Sequence, residues 1–253
     1  MPVSTLTDKV ADDLREKIRS GALKPNDLLP SEAQLCDQYD VSRVTVRRAL
    51  DRLQQEGLIT SQPGKGRIVR MQQPMVYRPQ QENEPRISTT MDRFMSHLSK
   101  DGRKPSQTIE IAVEEANEFV AKRFGVEVGM PVVARKRVRS VDGEPFNIND
   151  TYYLHDLVKD TAIMSPADIP RGSNRLVEDM IGDEVRAIDE FYIRMPTPKE
   201  AQRLALNQGT PVAVHYVTGY TADDRVVRVD VFVLPGDRHV ILYERIHPKG
   251  DSE

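Results

Sequence analysis

The stretch VSRVTVRRAL, Val41–Leu50, sets three arginines and a threonine among valines at helical spacing. A buried helix does not carry such residues, and a merely solvated one more usually mixes lysine and glutamate around its polar face. On a wheel of about 100° per residue, Val46, Ala49, Leu50 and Leu53 gather on one side as a core face. The opposite arc carries Arg43, Arg47, Val44, Arg48 and Asp51, with Arg52 and Thr45 at one margin. Arg43 and Arg47 point the same way from the first two turns, where a helix lying in a major groove presents residues to base edges. The planar guanidinium can donate two hydrogen bonds to guanine O6 and N7, while a phosphate accepts the same fork without regard to sequence. Val44 lies apolar in the middle of the basic arc, a place that suits a thymine methyl better than water. The competing reading is that these arginines simply solvate an exposed face, and the surroundings of the helix weigh against it.

Working outward, Ser42 can cap this helix and Gly57 stops it after Glu56. Before it, Ser31 and Gln34 stand at capping-box spacing, which predicts a short helix from Ser31 to about Tyr39. Further upstream Val10, Ala11, Leu14 and Ile18 keep helical spacing, with Thr7 as N-cap and Gly21 and Pro25 closing the segment. Downstream, LITS and RIVR flank Gln62-Pro63-Gly64-Lys65-Gly66 and predict two short strands around a glycine-bearing turn. Helix, helix, turn, helix and hairpin make a winged helix-turn-helix over residues 1–70. Charge agrees with that reading. Residues 41–70 hold seven basic side chains (Arg43, Arg47, Arg48, Arg52, Lys65, Arg67, Arg70) against Asp51 and Glu56, a balance of +5, whereas the whole chain carries −3. The rest is therefore −8, the pattern of a DNA-binding module joined to something else.

Residues 71–86, MQQPMVYRPQQENEPR, are rich in Gln, Pro and Glu without a steady period, so they read as a linker with no apolar face to dock it. From residue 87 to 253 apolar strands alternate with helical candidates. The strands are SQTIEIAVEE, PVVARKRVRSV, PFNINDTYYL, EVRAIDEFYIRM, PVAVHYVTGY, RVVRVDVFVL and HVILYERI, and the helical candidates are 117–124, 174–181 and 198–206. Within ARKRVRSVDGEPFNIN, a hairpin turning at Asp142-Gly143-Glu144, Arg135, Arg137 and Arg139 project to one face as a basic row. A three-residue loop sets Arg137 opposite Asn149; a two-residue loop sets it opposite Ile148. The first is preferred because polar faces then meet. The row reads either as part of a pocket for an anionic or polar small molecule or as arginines paired with surface acids on an exposed strand.

The composition is that of a soluble globular protein, and at 253 residues the chain suits one large or two ordinary domains. No leader pattern or apolar run of membrane-spanning length is evident, so a cytoplasmic protein without membrane contact is expected. The single cysteine, Cys36, allows no internal disulfide and no paired-cysteine metal site, and reads as a small packed side chain. The five histidines lie far apart, and G-x-S-x-G, a phosphate-binding loop and G-x-G-x-x-G are missing. Neither catalytic residues, nor a metal, nor a cofactor is expected.

The run LLPSEAQLCDQYDVSRVTVRRALDRLQQEGLITSQPGKGRIV closely resembles the DNA-binding domain of the GntR superfamily of bacterial transcriptional regulators, through its L-P-S-E entry, V-S-R-x-T-V-R and G-K-G wing. RKRVRSVDGEPFNIN, RGSNRLVEDMIG, MPTPKEAQRLAL and PGDRHV resemble, more loosely, the UTRA domain of its HutC-type members, whose fold is related to chorismate lyase. The resemblance implies an α+β protein: an N-terminal winged helix-turn-helix and a C-terminal antiparallel-sheet domain that binds an effector and dimerises. It implies a homodimeric regulator, expected to be a repressor, on an inverted-repeat operator in double-stranded DNA. It gives Ser42, Arg43, Thr45 and Arg47 recognition-helix roles, and Gly64 and Lys65 a wing in the minor groove. Ser31, Val44 and Arg67 complete the expected DNA face. Ala33 stands where the family often has a DNA-touching arginine, and Pro63 where some relatives have a polar wing residue.

In related sensors of amino-sugar phosphates, the positions matching Arg137, Arg139, Asn149, Ser173 and Ser88-Thr89-Thr90 bind ligand. Three departures speak against an amino-sugar phosphate here: Asn149 replaces an acid, Arg175 an aromatic and Leu234 a tyrosine. A small anionic or polar metabolite is the expected effector. The alternatives are a repressor whose second domain only dimerises and a lyase-like enzyme, which fold alone does not license.

Overall fold

A computed structural model of the chain describes residues 5–25, 27–62, 64, 66–70, 74–81, 98–99, 102–169, 171–206 and 209–245. They fall into two compact units, Met1–Met75 with Leu206–Thr210 and the remainder.

In the first unit, helices α1 (Leu6–Arg19), α2 (Glu32–Tyr39) and α3 (Arg43–Gln55) precede a hairpin of β1 (Ile59–Gln62) and β2 (Gly66–Val69). The N-cap of α1 is Thr5, not Thr7. Asp8 stands three residues after Thr5, so the Thr5 hydroxyl accepts from the Asp8 amide while the Asp8 carboxylate accepts from the Thr5 amide. Thr7 has Val10 at that spacing and cannot close such a box. Ser31 and Gln34 form the capping box of α2, and Ser42 caps α3 by accepting from the Thr45 amide. Val10, Leu14, Leu35, Val46, Ala49, Leu50, Leu53 and Ile59 pack into one core, so the apolar stripe of α3 faces inward as its spacing predicts. Losing such a side chain, as in Leu53→Ala, costs about 2–5 kcal/mol. The hairpin pairs Ile59 with Val69 and Gln62 with Gly66, and Leu28 bridges Ile68 to add a third short edge.

The second unit is built on a six-stranded antiparallel sheet in the order β4-β5-β6-β9-β8-β7. Its strands are β4 (Pro105–Glu115), β5 (Pro131–Val141), β6 (Glu144–Leu154), β7 (Arg186–Arg194), β8 (Val212–Tyr220) and β9 (Val226–Pro235). Helices α4 (Glu118–Phe124), α5 (His155–Val158), α6 (Ser173–Ile181) and α7 (Pro198–Arg203) connect them. One face carries Val133 and Tyr153 against Val158, Ile163, Ile169 and Val177; the other carries Val132 and Val229 against Val120, Ala121 and Phe124. The other strand and helix candidates of this unit recur with small end shifts, but HVILYERI keeps only His239–Ile241 as a strand, outside the six-stranded sheet, and α5 is an addition. Its four residues are too short to show a period in the sequence.

Within the stretch read as a linker, of which residues 74–81 are described, a docked strand occurs that the linker reading did not include. Strand β3 (Met75–Tyr77) pairs with β10 (His239–Ile241), and Tyr77 is buried with Ala213, Val217, Phe232 and Leu234. One aromatic with a partner waiting on the sheet suffices to anchor a short strand, and a lone Tyr among prolines gives no periodic signal.

Candidate DNA interface and candidate effector site

The two arginines of the opening stretch stand on the solvent side of α3, with side chains 69 % (Arg43) and 59 % (Arg47) exposed, and Val44 between them is 61 % exposed. An exposed Val flanked by exposed arginines is what the wheel predicts. The organising group, which the sequence reading did not single out, is Glu32 at the start of α2. Its carboxylate accepts from Arg43 Nε at 2.8 Å, from Arg47 Nε at 3.0 Å and from Arg67 Nη1 at 3.3 Å. The hydrogen bond from Arg43 holds the Glu32 carboxyl below the ordinary glutamate range, against its own desolvation. Because Arg43 and Arg47 meet Glu32 through Nε, the acid grips the stem side of each guanidinium. Arg67 is drawn to the same acid and also donates to Asp51 at 3.2 Å, so only 20 % of its side chain is exposed. Ser42 Oγ lies 2.9 Å from Thr45 Oγ1, and Ser31 is occupied as a cap. Gly64 is exposed at the wing tip with φ +77°, a left-handed value that favours glycine. Lys65 and Pro63 lie outside the described residues. The only advance sign of Glu32's role was a single acid in the L-P-S-E entry; its three partners lie 11, 15 and 35 residues away.

In the second unit, the β5–β6 turn holds two residues, Asp142 and Gly143, with φ +54° and +85°, the two positive values of a type I′ hairpin. Val141 faces Glu144 and Ser140 faces Pro145, but the register then shifts, so that Arg139 faces Asn147 and Val138 faces Ile148. The shift at Phe146 brings Arg137 opposite Asn149, the pairing preferred from sequence, though through a bulge rather than a three-residue loop. The extra residue flips the downstream register by one.

The basic row exists and is buried, not solvated: Arg135 is 0 %, Arg137 8 % and Arg139 7 % exposed. The reading of these residues as arginines on an exposed strand therefore fails. Arg135 donates to the carbonyls of Ile163, Ser165 and Ala167 at 2.7–2.8 Å and fastens the segment after α5 to the sheet. Arg137 Nη1 reaches Thr151 Oγ1 at 3.3 Å and Asn149 Oδ1 at 3.5 Å. Asn147 lies buried opposite Arg139, its Oδ1 without a hydrogen-bond partner among the described residues. Ser173, the first residue of α6, is buried and hydrogen-bonded to Tyr153 Oη at 2.8 Å; burial raises the Tyr153 hydroxyl's pKa. Tyr153 stands four residues along β6 from Asn149, on the same face. The structure thus gathers Arg137, Arg139, Asn149 and Ser173 on one sheet face, while Ser88, Thr89 and Thr90 lie outside the described residues. Arg175 points to solvent and pairs with Glu178, Asp179 and Asp183, and Leu234 is part of the core under Tyr77.

Among the described residues no group of His, Cys, Asp or Glu is arranged to hold a metal, and no helix is long and apolar enough to cross a membrane.

A winged helix with exposed arginines on its third helix, followed by an antiparallel sheet with buried basic and amide groups, defines a two-domain transcriptional regulator. Residues 6–69 match the model for bacterial regulatory proteins of the gntR family, and residues 101–240 match the UTRA domain. The chain belongs to the GntR family of regulators that carry a UTRA domain. It is 29 % identical over 224 residues to the mannosyl-D-glycerate transport/metabolism system repressor MngR of Escherichia coli, covering 86 % of each chain. It is 28 % identical over 246 residues to an HTH-type transcriptional regulator of Streptomyces coelicolor, covering 93 % of this chain and 91 % of that one. Its fold matches the crystal structure of PhnF from Mycobacterium smegmatis with a TM-score of 0.56 at 21 % identity, over 95 % of this chain and all of the other. These relatives and structural neighbours are transcriptional regulators, not enzymes.

Proposed function

We propose that this chain is a homodimeric cytoplasmic repressor that binds an inverted-repeat operator through Arg43, Val44, Thr45 and Arg47. A small anionic or polar metabolite, bound in its second domain, releases it from DNA. The observation that carries the first half is the pair of exposed, co-directed arginines held at their stems by Glu32, with an exposed valine between them. A single winged helix offers few contacts, so useful affinity calls for two of them related by a two-fold axis. The repressor sense is supported by MngR, described as a repressor. Ser31, Ser42, Gly64, Lys65 and Arg67 supply backbone and wing contacts in this reading.

The second half rests on the buried row of Arg137 and Arg139 with Asn149 and Ser173, because burying cations on a sheet face is costly unless an anion or well-placed acceptors meet them. Ser88, Thr89 and Thr90 close on the ligand in this reading, and the bound state favours an arrangement of the DNA-binding heads that fits the operator poorly. An effector shifts operator affinity only through different affinities for the two arrangements.

The test begins with selection of bound duplexes from a randomised library and footprinting of the winner. Two matching inverted half-sites are expected; protection of one unrepeated site overturns the two-fold reading. A thermal-shift screen of anionic metabolites follows, with operator affinity measured with and without each hit. A hit that weakens operator binding is expected. A hit that tightens it reverses the sign of the switch, and no hit at all leaves the second domain a dimerisation module.

A further inference from the structure

An unguarded sheet edge invites pairing with another chain, and natural proteins blunt such edges with charge, proline or a covering element. The six-stranded sheet ends at β4 on one side and β7 on the other. No residue of β7 is buried, whereas seven of nine are buried in its neighbour β8. Large apolar side chains stand in water along it: Ile193 at 72 %, Val185 at 64 %, Met195 at 56 %, Tyr192 at 50 % and Ile188 at 42 %. The charged groups of β7 itself are Arg186, Asp189, Glu190 and Arg194, which sum to zero. Those of β4 are Glu110, Glu114 and Glu115, so a second copy laid against β4 meets acid with acid.

We propose that β7 pairs antiparallel with β7 of a second copy about a two-fold axis at Tyr192, joining the two sheets into one. Arg186, Glu190 and Arg194 alternate in sign at four-residue steps, and this spacing selects the register. About Tyr192, Glu190 faces the partner's Arg194 twice, Phe191 faces the partner's Ile193, and Tyr192 meets its own copy. About Glu190, acid faces acid and Arg186 faces the partner's Arg194. About Ile188, the charges agree but Ile193 and Met195 stay in water. Of these three axes, the one at Tyr192 alone both satisfies charge and brings Ile193 and Met195 against the second copy. Glu190 keeps its ion pair with Arg123, and Arg194 its pair with Glu200 at 2.7 Å, so the cross-axis contacts extend two existing pairs.

This surface rests on the homodimer reading, and sedimentation velocity on the full-length protein separates the two. A monomeric parent protein at micromolar concentration overturns both. Glu190→Arg alone and Arg194→Glu alone are expected to raise the dimer dissociation constant by about tenfold or more, and the double swap to restore it. Ile193→Lys, at the most exposed position of the strand, is expected to give a folded monomer with unchanged circular dichroism. The register is read in a Cys36→Ser background, where Tyr192→Cys is expected to form an intermolecular disulfide under mild oxidation and Ile188→Cys is not. A parent dimer that keeps its affinity in Ile193→Lys and fails to crosslink through Tyr192→Cys places the interface elsewhere and overturns the proposal while leaving the homodimer intact. Crosslinking through Ile188→Cys instead overturns the register.

Discussion

Arg47 and Glu32 make opposite demands on DNA, which lets their roles be separated. If Arg47 reads a base edge, Arg47→Ala costs about 1–3 kcal/mol on the selected operator and relaxes preference at one position, with a far smaller loss on scrambled duplex. Titrations on both duplexes at several salt concentrations check this, and equal losses remove the base-reading role. Glu32 sets a negative charge among Arg43, Arg47 and Arg67, where it orients their forks but repels phosphate. Glu32→Gln is therefore expected to tighten binding to scrambled DNA and steepen its salt dependence by about one unit of slope, so that selectivity falls. Weaker binding to both duplexes in Glu32→Gln makes orientation, not charge, its dominant contribution.

At the scale of elements, a short strand and a tight turn depend on single groups. Tyr77 fixes β3 to the sheet: its hydroxyl lies 2.9 Å from His215 Nδ1, and His215 Nε2 lies 2.6 Å from Asp189 Oδ1. A carboxylate only accepts, so in the neutral ring Nε2 carries the proton and Nδ1 accepts from Tyr77. His215 is fully buried and stacks at 4.1 Å on Phe191, so no water replaces a missing hydroxyl. Tyr77→Phe should destabilise the second domain by about 1–3 kcal/mol, the cost of an unsatisfied buried acceptor. It should also speed hydrogen exchange at the Leu242 amide, which donates to the Tyr77 carbonyl. Unchanged exchange there shows that β3 is held by its apolar contacts alone. The Asp142-Gly143 turn is as specific. Gly143→Ala, at φ +85°, should cost about 1 kcal/mol in denaturant unfolding, and no loss shows that the turn relaxes to another type.

For the molecule as a whole, the groups proposed to read DNA and those proposed to sense effector lie in different units, so they should fail independently. Arg137→Ala is expected to leave operator affinity intact and to abolish its response to effector; a variant that responds as the parent does removes Arg137 from the site. Stability has its own pH signature. Burial pushes the His239 ring from 6.5 down to about 4, against the hydrogen bond from Nδ1 to the Pro235 carbonyl. The unfolded chain binds that proton near the ordinary histidine value and the folded chain does not. Stability is thus full above about pH 6.5, falls as the pH drops toward 4, and levels off below it, a swing of roughly 3 kcal/mol at most. Denaturant unfolding at pH 7 and pH 5 should show the loss in the parent and much less of it in His239→Gln; equal losses assign it to other groups.

Features that depend on neighbours a few residues apart are legible in the chain before it folds. The stripe of Val46, Ala49, Leu50 and Leu53, the caps at Ser31 and Ser42, the arc of Arg43, Val44 and Arg47, and the alternation of the sheet strands all follow from local periodicity and capping. Even there a capping box outweighed a lone threonine, and Thr5 replaced Thr7. Contacts that join distant residues lie beyond such local rules and emerge only on folding. Glu32 grips arginines from two other elements, Tyr77 finds His215 at a distance of 138 residues, and Arg135 is committed to backbone carbonyls while Arg137, two residues on, meets Asn149 and Thr151. The Arg137–Asn149 pairing shows the division most closely. Side-chain polarity pointed to the right register, but a two-residue turn alone would have given the other one. The bulge at Phe146 corrects it, because burial of one sheet face penalises a one-residue slip along the whole strand.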